Sequence, residues 1–368
     1  MELPPFLLDH WMAAHEFATP PIAYNLASST GPRWTIDTLA ALGDVPLELA
    51  SIPLGYAPPD GSRTLREAIG AFYGVDPDWI VVTTGASEGF AILACLAARP
   101  GATMLLPDPA FPAFAAVARA WGLGIRSYAL SREEGFAQRA GSVLAAADRD
   151  TALALINTPH NPTGSVMPAN EVRALAQGLA AHGAPLIVDE VYHPLYFGAA
   201  NPSAAGTPNT VVISDMSKAF SLPGLRLGWI VDADAERRKR MIDARSYFTI
   251  SSSPLTEAIA AHALRHHAAV LARLAAVATA NLTLLDDLMA ECGDRVGWVR
   301  PQGGTVGFPW FRDGRDARPF CKALARAGVL VAPGDCFGVP SHMRIGFGQQ
   351  ADGYADALAI MGETLKRF

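Results

Sequence analysis

The chain has 368 residues, of which 50% are hydrophobic and 17% charged, and its formal net charge is −6. That balance excludes a disordered chain, and an acidity this modest and dispersed excludes a nucleic-acid groove, the brief basic run at Arg237 to Arg240 reading as a solvated helix face. The four cysteines, Cys95, Cys292, Cys321 and Cys336, show no CxxC spacing, so reduced and mostly buried thiols are expected and no metal site.

The opening MELPPFLLDHW has no basic n-region, and the apolar stretch Ala258 to Ala280 is interrupted by Arg265, His266, His267 and Arg273. No membrane span and a cytoplasmic protein are therefore expected. The first 45 residues are Pro-rich and read as irregular, returning to pack on a later layer. From about residue 79 short β-branched runs alternate with longer helical stretches, the pattern of βαβ units around a mostly parallel sheet. Strands are expected at Ile80 to Thr83, Thr103 to Leu106, Ala152 to Ile156, Leu186 to Val188, Val211 to Ser214 and Leu227 to Val231. Helices fit between them at Ser87 to Ala98, Ala113 to Trp121 and Asn170 to His182. After Ser253 a long Ala/Leu-rich helical region leads to short strands near Val296 to Val299, Thr305 to Phe311 and Met343 to Phe347, and a last helix from Ala351. This divides the chain into a large α/β domain, residues 46–250, and a smaller α+β domain built from 1–45 and 251–368.

In such a sheet, sites form where the chain leaves the carboxyl ends of strands. SDMSKAFSLPGLRLGW, residues 214 to 229, puts Lys218 directly after a strand, and Arg226 follows between Gly224 and Gly228, which would let backbone and guanidinium approach a ligand. NTPHNPTG, residues 157 to 164, holds Asn161 in a tight turn. LIVDEVY, residues 186 to 192, ends a buried strand with Asp189, costly there unless paired, and brings Tyr192 near the same point. TTGASEG, residues 83 to 89, leads into a helix whose Ala86 and Ser87 N–H groups, with the Ser87 hydroxyl, suit a phosphate. In DPAFPAF, residues 108 to 114, Phe111 is placed to stack on a flat ligand. Two other patterns carry less. The glycines of GLGIRS, residues 122 to 127, precede a strand instead of following one, which argues against a dinucleotide site. His262 and His266, spaced i, i+4 without an acidic neighbour, read as surface residues.

In this order, TGAS, DPAF, NPTG, DEVY, SK and GLRLGW closely resemble the class I/II aminotransferase family, the fold type I pyridoxal phosphate enzymes, from Tyr56 in LGYAPPDGSRTLREAI to Arg344 in HMRIGFG. The resemblance implies an enzyme with pyridoxal 5'-phosphate in Schiff-base linkage to Lys218, which also moves the Cα proton. It implies Asp189 against the pyridine nitrogen, Asn161 and Tyr192 on the phenolic oxygen, and Phe111 on the ring face. Ala86, Ser87, Ser217 and Arg226 would hold the phosphate, with Tyr56 reaching over from a second subunit, so a homodimer with shared sites is expected. Arg344 would take the substrate carboxylate, and the partners would be an α-amino acid and a 2-oxo acid.

Two departures stand out. Three residues before the lysine, where the family usually has Ser or Thr, stands Asp215; repelled by a phosphate, it is expected to turn away or bind another group. NLASSTG, residues 25 to 31, replaces a Gly-rich stretch, and Ser28 and Ser29 could face the substrate. PPFLLDHW together with SSTG is similar to the capreomycidine synthase branch, whose members eliminate and cyclise a hydroxylated arginine, an alternative to transamination. Trp11, Tyr24 and Phe337 are expected near the pocket.

Overall fold

The structure, a computed structural model, describes residues 3–44 and 47–368. The Pro-rich opening is more regular than its composition suggests: Leu7–Glu16 forms α1, Tyr24–Asn25 a short strand β1 and Ile36–Ala40 the helix α2. Thr35 starts α2 by accepting the Thr38 N–H while Thr38 Oγ1 accepts the Thr35 N–H, a reciprocal cap. Helix α3 (Arg63–Tyr73) ends on Gly74, whose φ of 68° is the left-handed conformation that stops a helix.

The alternation then appears as β2 (Ile80–Thr83), α4 (Ala86–Ala97), β3 (Thr103–Asp108), α5 (Pro112–Ala120) and β4 (Gly124–Ala129). It continues through α6 (Ala140–Ala145), β5 (Thr151–Asn157), α7 (Ala169–Ala180), β6 (Leu186–Asp189), β7 (Thr210–Asp215) and β8 (Gly228–Val231). These strands form a seven-stranded sheet in the order β2-β8-β7-β6-β5-β3-β4, parallel except for β8, which runs antiparallel to both neighbours. Strand β5, TALALIN, is buried at every position because helices cover both faces of the sheet. Successive side chains feed opposite cores: Ala154, Ile156, Val188 and Val212 pack on one face, Leu155, Ile187, Val211 and Ile213 on the other. Helix α7 buries Val172, Leu175, Ala176 and Leu179, one helical stripe.

Beyond the sheet follow α8 (Ala235–Phe248), α9 (Pro254–Arg265), α10 (His267–Glu291), β9 (Val296–Gly297), β10 (Val306–Gly307) and β11 (Trp310–Phe311). The chain closes with α11 (Arg318–Arg326), β12 (Val329–Leu330), β13 (Ala332–Pro333), β14 (Met343–Gly346) and α12 (Tyr354–Arg367). The N-terminal segment packs here: β1 pairs in parallel with β12, Tyr24 beside Val329, and Trp11 Nε1 donates to the Val331 carbonyl at 2.9 Å. The domain boundary expected at residues 45 and 46 lies outside the described residues.

Two expectations are corrected. By length and composition α10 is apolar enough to cross a membrane, whereas the sequence reading took the stretch as too interrupted; of the four residues it counted, Arg265 and His266 precede the helix, and His267 and Arg273 lie in it. Its apolar residues Val270, Leu274, Ala278, Leu282 and Leu285 are buried on one stripe, and buried Asn281 donates to the carbonyls of Phe347 and Gln350, so one face of the helix packs in the core. His262 is no surface residue: it is 2% exposed and its Nε2 lies 3.0 Å from the Leu39 carbonyl, a partner 223 residues away. Among the described residues no group of three or more His, Cys, Asp or Glu could hold a metal ion.

Candidate active site

Strand register brings the separate motifs to one end of the sheet. It sets Asn157 beside Asp189, and it sets Gly228 between Thr83 and Asp215. Past these strand ends opens a cleft of about 560 Å³ lined by Ser29, Ala86, Ser87, Phe111, Asn161, Asp189, Tyr192, Ser217, Lys218, Arg226 and Arg344. Of the predicted site residues Tyr56 alone is not in it: the ring is 85% exposed, in a separate depression beside Pro58 and Glu257.

Lys218 follows β7, and its Nζ donates to Ser29 Oγ at 2.8 Å. Burial lowers its amine to about 8 against the opposing pull of Asp215. Asp189, the last residue of β6, is 6% exposed and accepts the Val191 N–H at 3.1 Å. Burial pushes its carboxyl up to about 7, the Val191 bond working against that rise. Tyr192 is 1% exposed, its hydroxyl has no hydrogen-bond partner, and burial pushes the phenol up to about 12.

Arg344 reaches the cleft from β14. It is 3% exposed, donates through Nη1 to Asn161 Oδ1 at 3.0 Å and through Nη2 to the Ala27 carbonyl at 2.7 Å, and its Nε has no partner. With Oδ1 turned to the guanidinium, the Asn161 Nδ2 is left as the free donor. Asn157, which sequence reasoning did not single out although it opens NTPHNPTG, ties this together: its Oδ1 accepts the Asn161 N–H at 2.6 Å and its Nδ2 donates to the Asp189 carbonyl at 3.1 Å.

At the other side Gly85, φ 79°, turns the chain into α4. A Cβ on Gly228 would come within 2.6 Å of Gly85 C and 2.7 Å of Ala86 N, so this glycine lets the strand pack against the turn into α4, whereas a Cβ built on Gly224 would meet nothing within 4 Å. Of the two outcomes expected for Asp215, turning away or binding another group, the structure shows the second. Asp215 Oδ1 accepts the Ser217 N–H at 2.8 Å and its Oδ2 the Ala86 N–H at 3.4 Å, facing into the cradle. Phe111 caps α5 half-buried, edge-on to Phe114 at 5.6 Å.

The outer wall also differs from expectation. Trp11 is buried in the core and Tyr24 half-buried on β1, neither lining the cleft, while Phe337 lies buried close behind it, 5.1 Å from the Arg344 guanidinium; the wall is made by Leu8, Asp9, Met12, Ala13, Glu16 and Phe17 on and just after α1. Nothing local marks that segment as cleft-facing.

Pyridoxal phosphate fits these residues. The partnerless Tyr192 hydroxyl and Arg344 Nε are buried donors facing the cleft, and a buried acid held near neutrality wants a cation such as a protonated ring nitrogen. An amine whose charge burial disfavours, in one cleft with such an acid at the strand ends of this sheet, is the site of a pyridoxal phosphate enzyme of fold type I. More particularly, the chain belongs to the class I and II aminotransferases, the family described as "Aminotransferase class I and II" matching residues 41–359. It is 31% identical to a capreomycidine synthase of Streptomyces vinaceus over 99% of this chain and 94% of that one. It is 33% identical to a valine–pyruvate aminotransferase of Mycobacterium tuberculosis over 99% and 97%. A crystal structure of a PLP-dependent aminotransferase from Streptococcus suis superposes with a TM-score of 0.91 at 26% identity, covering 100% of this chain and 99% of that one.

Proposed function

We propose that the protein is an aminotransferase that takes the amino group from an α-amino acid onto pyridoxal phosphate, held in Schiff-base linkage on Lys218, and gives it to a 2-oxo acid. The observation that carries this reading is the meeting of Lys218, Asp189 and Arg344, from the turn after β7, from β6 and from β14 respectively, in one cleft. When bound, the cofactor supplies an electron sink for charge developing at the substrate Cα. Arg344 binds the substrate carboxylate, its Nε still lacking an acceptor, and so orients the Cα–H bond toward Lys218 Nζ, which takes the proton. Asp189 would hold a proton on the ring nitrogen, while Asn161 Nδ2 and the Tyr192 hydroxyl would donate to the phenolic oxygen. Ala86, Ser87, Ser217 and Arg226 hold the phosphate.

The working unit is proposed to be a cytoplasmic homodimer in which Tyr56 completes the cradle of a second copy; its support is the exposure of Tyr56 (85%) and Leu54 (82%) outside the cleft. The two-domain division, 46–250 against 1–45 with 251–368, is supported by a cleft lined from both parts.

The second reading, elimination and cyclisation of the capreomycidine synthase type, is favoured by the similarity over 99% of the chain and by Asp9 and Glu16 on the cleft wall, a setting suited to a cationic substrate side chain. Incubating the purified holoenzyme with a panel of amino acids, with and without a 2-oxo acid, separates the two. Lasting conversion of the cofactor to its amino form without acceptor supports transamination; a retained carbonyl form with a cyclised product selects the second.

A further inference from the structure

An anion cradle should present donors, yet Asp215 places a carboxylate in this one. The residue ends β7 beside Gly228 and is 7% exposed. Its Oδ2 accepts the N–H of Ala86, the first residue of the twelve-residue α4, and its Oδ1 accepts the N–H of Ser217. Arg226 borders the same space: a Cβ built on Gly85 would lie 2.8 Å from Arg226 Nη2 and 3.8 Å from Asp215 Oδ2. Among the described residues no Lys, Arg or His nitrogen comes within ion-pair distance of the Asp215 carboxylate, so neutral backbone donors hold it.

Ala86 has a single N–H hydrogen. A phosphate oxygen seated at the start of α4 and Asp215 Oδ2 compete for it, and the two anions repel each other in a partly buried space. The helix dipole attracts both, so it does not relieve the competition.

We infer that Asp215 is a built-in competitor for the phosphate cradle. In the unloaded protein its carboxylate caps the Ala86 N–H, and it gives up that bond when a phosphate-bearing ligand enters, so the cofactor binds more weakly than the donors alone would allow. The inference rests on pyridoxal phosphate being the ligand of the cleft.

The test compares the full-length protein with Asp215→Asn and Asp215→Ser. Asn keeps an acceptor for the Ser217 N–H and removes the charge; Ser is the residue type usual in the family at this place. Each is titrated with pyridoxal phosphate and with phosphate-free pyridoxal by fluorescence, and with inorganic phosphate by thermal shift, after circular dichroism has confirmed the fold. The expected result is pyridoxal phosphate Kd lower by about tenfold or more in both variants, from removal of one like charge at close range. Inorganic phosphate should stabilise the variants at lower concentration than the wild type, and pyridoxal affinity should stay within about twofold. Unchanged or weaker pyridoxal phosphate binding in the folded variants overturns the inference, as does equal tightening toward pyridoxal, which would place the effect at the ring and not the cradle. If Asp215→Asn fails to fold, Asp215→Ser decides alone. Failure of the folded wild type and variants alike to bind pyridoxal phosphate overturns the cofactor assignment itself, a result distinct from the others.

Discussion

Lys218 Nζ donates to Ser29 Oγ at 2.8 Å, joining residues 189 apart in the chain. The serine is held firmly: it is 7% exposed, and its own carbonyl accepts Thr305 Oγ1 at 2.9 Å. The segment before α2 therefore aims the lysine that follows β7, and Ser29 is a positioning residue for it.

Ser29→Ala should lower kcat by up to about tenfold, the rate equivalent of one net hydrogen bond. Because Ser29 Oγ accepts from the charged amine, its loss should also move the pH dependence of cofactor capture to lower pH, and Ser29→Thr should restore both in part. An unaltered pH profile in Ser29→Ala would show that the contact positions nothing.

Capture of added pyridoxal phosphate by the unloaded protein, followed by absorbance, should accelerate with pH around a midpoint near 8 instead of the ordinary 10.5 of a lysine. The folded value is the lower one, so between those two values the unfolded chain binds more protons and the stability of the unloaded protein rises with pH. Lys218→Met should remove that slope in urea titrations; a slope that persists would assign it elsewhere.

Asp189 behaves in the opposite sense. Its folded carboxyl titrates at about 7 against 3.8 unfolded, so its contribution to the unloaded protein is fully present below the unfolded value and is lost as pH rises through 7. Asp189→Asn should flatten the fall in melting temperature over that window, leaving the part due to Glu190, which burial also raises to about 7. The same variant should lose kcat by about a hundredfold with a much smaller change in cofactor affinity. Equal losses in both would mean that Asp189 is structural.

Gly228→Ala would thrust a methyl against the backbone of Gly85, Ala86 and Ser214, atoms that no rotamer change can move aside. A destabilisation of about 1–3 kcal/mol is expected, with weaker cofactor binding because the α4 N-terminus is displaced. Gly224→Ala, which meets nothing within 4 Å, is the matched control. Equal melting temperatures for the two would contradict the packing described here.

Much of the fold and site was legible because it is local. Runs such as TALALIN declare a strand buried on both faces, and the Val172, Leu175, Ala176, Leu179 spacing declares a helix stripe. Lys218, Asp189, Asn161 and the Ala86 turn each follow a strand within a few residues, so strand ends alone point them to one rim. What the chain order could not supply was partner choice. The Lys218–Ser29 and Arg344–Asn161 contacts span 189 and 183 residues and depend on how β1, β12 and β14 dock against the sheet. Charge reasoning left Asp215 either turned away or bound to another group; the backbone N–H groups brought to it by the β7–β8–β2 register decide for the second and hold it in the cradle. Local propensity and motif are written in neighbouring residues; which donor meets which acceptor is decided by distances that exist only after the chain has folded.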